Sequence, residues 1–133
     1  MFLTKEGDYG LRIIRSLADG EMKTVEVICS SECIPGQFAY KILKKLSNAG
    51  IVQSIRGRNG GYRLAKDLHT FTLYDVIAAV EDNLLLFECL REDSDCPRNS
   101  DEDPCAVHEE YKRIQKLIED ETMGKTMDKI IIR

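Results

Sequence analysis

PGQFAYKILKKLSNAGIVQSIRGRNGGYRL, residues 35–64, holds a helix, a strand, a glycine loop and a second strand in succession. Pro35 suits a first helical position. Phe38, Ala39, Ile42, Leu43 and Leu46 recur at three- and four-residue spacing, so one face is apolar until Asn48-Ala49-Gly50 stops the helix. Ile51, Val52, Ser54 and Ile55 then form a short strand. Gly57 to Gly61 supply a tight loop, and Tyr62-Arg63-Leu64 pairs back as the other arm of a hairpin. This order predicts a winged helix.

The charge of the stretch says what such a wing would meet. From Lys41 to Lys66 there are seven basic residues (Lys41, Lys44, Lys45, Arg56, Arg58, Arg63, Lys66) and no Asp or Glu. Phosphate is their natural counterpart. A helix with exposed lysines suits the wide major groove of duplex DNA, and a thin hairpin carrying Arg56 and Arg58 can enter the narrow minor groove. The plainer reading is a solvated basic face, and the hairpin argues against it.

Over its whole length the chain carries the opposite charge. Its 133 residues have a formal net charge of −4, but residues 1–68 hold 11 basic and 7 acidic side chains while residues 69–133 hold 8 and 16. A basic reading head joined to an acidic second half restrains indiscriminate adhesion to nucleic acid. The longest apolar runs, Leu84–Phe87 and Ile130–Ile132, are far short of the roughly 20 residues that cross a bilayer, and MFLTKEGDYG has no signal-peptide core. A cytoplasmic protein without a membrane partner is expected.

Upstream of the wing, Thr4 is a candidate N-cap for a helix over about Lys5 to Ala18, with Tyr9, Ile13, Ile14 and Leu17 on one face. Thr24 caps a short helix through Val27 and Ile28 to about Ser31, and a turn at Glu32-Cys33-Ile34 leads into the helix at Pro35, which completes a helix-turn-helix. Cys29 and Cys33 fall here at i, i+4. Packing of small apolar thiols in the core is their expected role, ahead of ligation or a thiol switch. Downstream, Thr72 and Asp75 have capping-box spacing ahead of a helix with Val76, Ile77, Ala79 and Val80 on its apolar face. His69 has no polar cluster around it in sequence and is read as a surface or core residue.

A second motif follows, Cys89, Cys96, Cys105 and His108, set in REDSDCPRNSDEDPCAVH. The segment is too polar to fold on its own hydrophobicity. Asp103 and Pro104 read as N-cap and first position of a helix, which would put Cys105 in its first turn and His108 one turn further along the same face. Three thiolates with one nitrogen or oxygen ligand suit zinc or an iron–sulfur cluster, and the spacing matches neither the paired-cysteine zinc pattern nor the ferredoxin run. The residues leave that choice open. A lone loop histidine with no general base nearby, and the lack of a Gly-rich nucleotide motif, argue against an enzyme.

After His108, residues Val107, Tyr111, Ile114 and Ile118 step along one seam with Leu117 beside it, like a short coiled coil. The seam predicts a two-fold homodimer whose two heads address half-sites one or two helical turns apart. Gly124 ends this helix, and a last short one over Thr126–Ile131 is expected to pack on the dimer through Met127, Ile130 and Ile131. The chain thus divides into a winged helix-turn-helix DNA-binding domain (1–82), a cysteine-containing cluster-binding loop (83–104), and a long dimerisation helix with a short terminal one (105–133). The fold class is mainly α with a small β-hairpin.

With LTKEGDYGLR at the N-terminus, SIRGRNGGYRL in the wing and three loop cysteines, the chain resembles the IscR/NsrR/CymR family of bacterial winged-helix regulators, dimers that repress or activate transcription. The resemblance implies that Arg56 enters the minor groove and that Gln37, Tyr40 and Lys41 face base edges and phosphates; Lys44 and Lys45 are expected to contact the backbone of any sequence, and a repressor is the leading expectation. The resemblance also implies an iron–sulfur cluster, two-iron or four-iron and labile on purification, held by Cys89, Cys96 and Cys105. Members like IscR take a fourth ligand from a histidine shortly after the third cysteine, here His108. Members like NsrR take it from an aspartate in the first helix of the opposite subunit, here Asp8. The gaps between cysteines are six and eight residues in this chain, against five in those relatives. The CymR branch implies an alternative: a cluster-free regulator controlled by a protein partner or by thiol oxidation.

Overall fold

A computed structural model describes residues 3–131. Helices α1 (Lys5–Ser16), α2 (Val25–Glu32) and α3 (Gly36–Asn48) precede a hairpin of β1 (Val52–Ile55) and β2 (Gly61–Leu64); α4 (Leu73–Val80), α5 (Ala106–Met123) and α6 (Met127–Ile131) follow. This is a winged helix-turn-helix with a long helical extension, mainly α with one two-stranded sheet. Among the described residues no helix is long and apolar enough to cross a membrane.

Local chemistry accounts for most of the boundaries. Thr4 and Thr24 cap α1 and α2 by accepting from the backbone N–H groups of Gly7 and Val27, and Thr72 with Asp75 forms a reciprocal capping box at α4. Helix α2 ends where Cys33 adopts a left-handed φ of 55°, one residue beyond the expected end. Pro35 sits at the N-cap of α3 rather than inside it.

In the hairpin Val52 pairs with Leu64 and Ile55 with Gly61. Gly57 at φ 119° and Gly60, where a Cβ would lie 2.2 Å from the Ile55 carbonyl oxygen, let the backbone close the wing tip. A further pairing was not expected from sequence. Lys23 and Tyr62 exchange both backbone hydrogen bonds at 2.8 Å, tying the wing to the segment that leads into α2.

The core lies where α1, α3 and α4 meet. Ile13, Ile14, Leu17, Ile28, Ile42, Leu43, Leu46 and Val76 are fully buried in it, each burial contributing roughly 1.5–3 kcal/mol before chain entropy is counted. Two downstream expectations need correction. Helix α5 starts at Ala106, not near Pro104, because Asp103 and Ser100 close a turn on each other (Asp103 N–H to Ser100 Oγ, 3.0 Å) and Cys105 becomes the N-cap. Met127 of α6 is 1% exposed within this chain's own core, and its N–H donates to the Phe71 carbonyl at 3.0 Å, so this residue packs on its own head and not on a dimer. Ile130 remains exposed.

Candidate nucleic-acid interface

Helix α3 turns Ala39, Ile42, Leu43 and Leu46 into the core, which leaves Gln37, Tyr40, Lys41 and Lys44 on the opposite side. All four are exposed, Tyr40 by 56% in spite of its aromatic ring. Gln37 can offer an amide to a base edge and Tyr40 a hydroxyl. The hairpin rises directly from the C-terminal end of α3, and Arg56 and Arg58 at its tip are exposed with no hydrogen bond or ion pair to another described residue. Arg63 lies across from Gln53 and donates to its Oε1 at 3.3 Å on the exposed face of the sheet.

The three lysines of α3 are not equivalent. Lys44 makes no ion pair with any described residue. Lys41 donates to Glu6 of α1 at 2.8 Å; this contact is the main reason the Glu6 carboxyl lies below its ordinary pKa and the Lys41 ammonium above its own. Lys45 is only 22% exposed: its Nζ donates to the Val80 carbonyl at 2.8 Å and to Asp82 at 3.3 Å, and lies 3.6 Å from Glu6. Within this chain Lys45 is a clasp on the end of α4. Neither Glu6 nor this clasp had a signal in the sequence, since the partners stand 35 or more positions apart.

The cysteine loop leaves α4 at that same clasp. Glu81, the C-cap of α4, accepts from the backbone N–H and hydroxyl of Thr4, so the root of the loop is also joined to the start of α1. Farther along, the side chain of Gln115 on α5 accepts from the Leu86 N–H (2.9 Å) and donates to the Leu84 carbonyl (3.0 Å), and Phe87 stacks on Tyr111 with ring centres 3.6 Å apart. Gln115, a buried polar residue, was missed by a reading that counted only apolar positions.

Beyond those anchors the loop has little core of its own. Cys89, Cys96 and Cys105 are half-buried free thiols, and the Cys105 N–H donates to the Asn99 side chain at 2.9 Å. His108 is half-buried, and its Nδ1 is buried with no hydrogen-bond partner among the described residues. Asp8 is exposed and paired with Arg12 at 3.1 Å. Among the described residues no three His, Cys, Asp or Glu side chains lie close enough together to hold a metal ion. By type, three free thiols and an imidazole nitrogen without a partner among the described residues are ligands that an iron–sulfur group would take, although this chain does not bring them together.

Elsewhere the thiols separate. Cys29 packs against the core, where burial pushes its pKa up, while Cys33 is exposed and so departs from the core role expected of both. His69 lies on the surface. On α5, Tyr111 has turned in toward Phe87, and the seam left open is Val107 and Leu117, 56% and 58% exposed, with Ile114 and Ile118 half-buried beside them.

Residues 3–133 match the family described as "Rrf2: Iron-dependent Transcriptional regulator". A relative from Aquifex aeolicus (strain VF5) named "Putative HTH-type transcriptional regulator" is 33% identical over 80% of this chain and 74% of its own length. Among solved structures, CymR (YrzC), the global cysteine regulator of B. subtilis, superposes with a TM-score of 0.76 at 25% identity, over 98% of this chain and 96% of that one. T. potens IscR superposes with a TM-score of 0.74 at 20% identity over 98% and 86%, a likeness of fold.

Proposed function

Because this chain belongs to the Rrf2 family of transcriptional regulators, we propose that it binds a double-stranded DNA operator as a homodimer, represses transcription from it, and adjusts its affinity through the loop between α4 and α5. The observation that carries the DNA reading is the outward face of α3: Gln37, Tyr40, Lys41 and Lys44 stand opposite the buried stripe, next to a wing whose Arg56 and Arg58 have no partner among the described residues. Cations held without internal partners on a rigid scaffold suit phosphates and a narrow groove. Lys45 is left out of this assignment by its clasp. The homodimer reading is supported by the Val107–Leu117 seam, apolar and uncovered within the chain. Such a protein acts in the cytoplasm, with the DNA.

For the sensing element we propose an iron–sulfur cluster held by Cys89, Cys96 and Cys105. His108 is favoured as fourth ligand over Asp8 because its Nδ1 is unsatisfied while Asp8 already has Arg12. When bound, such a group supplies a centre sensitive to iron supply, oxidants and nitric oxide. The chain supplies the coupling: Gln115, Tyr111 and Phe87 fix one side of the loop to α5, and Glu81 and the Lys45 clasp fix its root to α1 and α3. Ordering or releasing the loop then shifts the population of head arrangements competent for DNA.

Iron and sulfide analysis of protein prepared without oxygen tests this, paired with duplex binding by the wild type and by the Cys89→Ser, Cys96→Ser, Cys105→Ser variant. Stoichiometric iron with sulfide, and an operator affinity that changes when the three thiols are removed, is the expected outcome; zinc in place of iron would overturn the cluster and keep the loop as a metal site. A second reading has its own support, in that the donors are not gathered in this chain: a cluster-free regulator answering to a protein partner or to thiol oxidation. Operator binding indifferent to the triple serine variant, yet altered by an added protein, would select it.

A further inference from the structure

Glu6 has no place in the DNA reading given above, yet its carboxylate lies in the midst of the cations on α3. It projects from the first turn of α1, is 26% exposed, and holds the Lys41 ammonium at 2.8 Å with Lys45 at 3.6 Å. Lys41 is 55% exposed and has no other ion-pair partner among the described residues. A carboxylate oxygen at that distance has the charge sign and acceptor geometry of a phosphate oxygen. Helices α1 and α3 are already joined through Ile13, Ile14, Ile42 and Leu46, so an exposed pair of this kind adds little to the fold. Its larger effect falls on whatever else Lys41 could bind. Lys45, fastened to the Val80 carbonyl, stands 3.6 Å from the same carboxylate.

We propose that Glu6 is a positioning residue for DNA binding: it stands in for a backbone phosphate on Lys41 and withholds that lysine from duplex of any sequence, so that only sites offering base contacts as well are held. The proposal rests on the DNA reading above and adds a gate to it. Lys44, with no such partner, is the ungated lysine of the same face.

The test uses the full-length protein and a labelled random-sequence duplex, titrated over a series of salt concentrations. Glu6→Gln frees one phosphate contact per subunit, so the log–log salt slope steepens by about 0.9, and affinity at 0.1 M salt rises about eightfold for each subunit in contact. Introduced on a Lys41→Ala background, the same change gains nothing. In the wild type, Lys41→Ala costs less affinity for this duplex than Lys44→Ala does. A thermal melt run alongside identifies any loss of fold. Unchanged or weaker binding by folded Glu6→Gln protein overturns the gate, as does a gain that persists without Lys41, or a Lys41→Ala loss equal to that of Lys44→Ala. If the wild type shows no salt-dependent binding at all, the regulator reading fails with it; wild-type binding beside an inert Glu6→Gln variant overturns the gate alone.

Discussion

Lys44 and Lys45 are neighbours in sequence with different surroundings: Lys44 is exposed, whereas Lys45 is fastened to the end of α4. The charge of α3 could be read directly, because lysine repeats on an amphipathic helix are a local pattern. How the lysines divide their work could not, because the groups that claim Lys45, the Val80 carbonyl and Asp82, belong to another helix brought alongside by folding. Removing the Lys45 side chain leaves that carbonyl at the end of α4 without its cation. Lys45→Ala is expected to lower stability by about 1–2 kcal/mol, measured by denaturant or thermal unfolding. Lys44→Ala is expected to leave stability unchanged and to flatten the salt slope for DNA by about 0.9 for each subunit. Equal effects of the two substitutions on stability would contradict the clasp. The same limit of local reading hid Gln115: a polar side chain at a helical position announces nothing until the loop it holds is seen beside it.

At the scale of elements, the signals confined to a few neighbouring residues were the ones that could be read. Thr72 with Asp75 and the glycines of the wing fix their boundaries by short-range hydrogen bonding and backbone freedom. Asp103-Pro104 is an equally good local signal for a helix start, and it lost to a competing turn in which Ser100 takes the Asp103 N–H. The Lys23–Tyr62 bridge was out of reach for a different reason, since two residues make no strand pattern. On α5 the periodicity put Tyr111 on a seam with Val107, Ile114 and Ile118, whereas its ring stacks on Phe87. The apolar side chains left exposed on α5 are then Val107 and Leu117, and under the proposed homodimer these would meet the partner copy. Leu117→Glu, exposed in one chain and harmless to its core, is expected to shift sedimentation toward monomer and to weaken operator binding through lost bivalency, without lowering the helix content seen by circular dichroism. A variant that stays dimeric would move the interface elsewhere.

At the scale of the whole molecule, the head and tail that sequence composition separates by charge are not separate in packing. Met127, placed by sequence on a dimer, sits in the same core as Ile13, Leu43 and Val76. The sequence could not show this because the partner of its N–H, Phe71, lies before the long loop and α5. Met127→Ala is expected to cost about 2–5 kcal/mol of unfolding free energy, read from the midpoint of chemical unfolding, although it lies outside the helix-turn-helix and wing. A loss below about 0.5 kcal/mol would mean that α6 is not seated where the structure has it.

That seating carries a consequence for biosynthesis. The reading helix and wing leave the ribosome well before Met127 is made, so the nascent head waits with a gap in its interior until the far segment arrives to close it. Closing that gap is then a long-range docking, slow by the measure of contact order. A polypeptide cut short before Met127 would carry the whole of α3 and the hairpin while the core beneath them lacked one of its buried side chains.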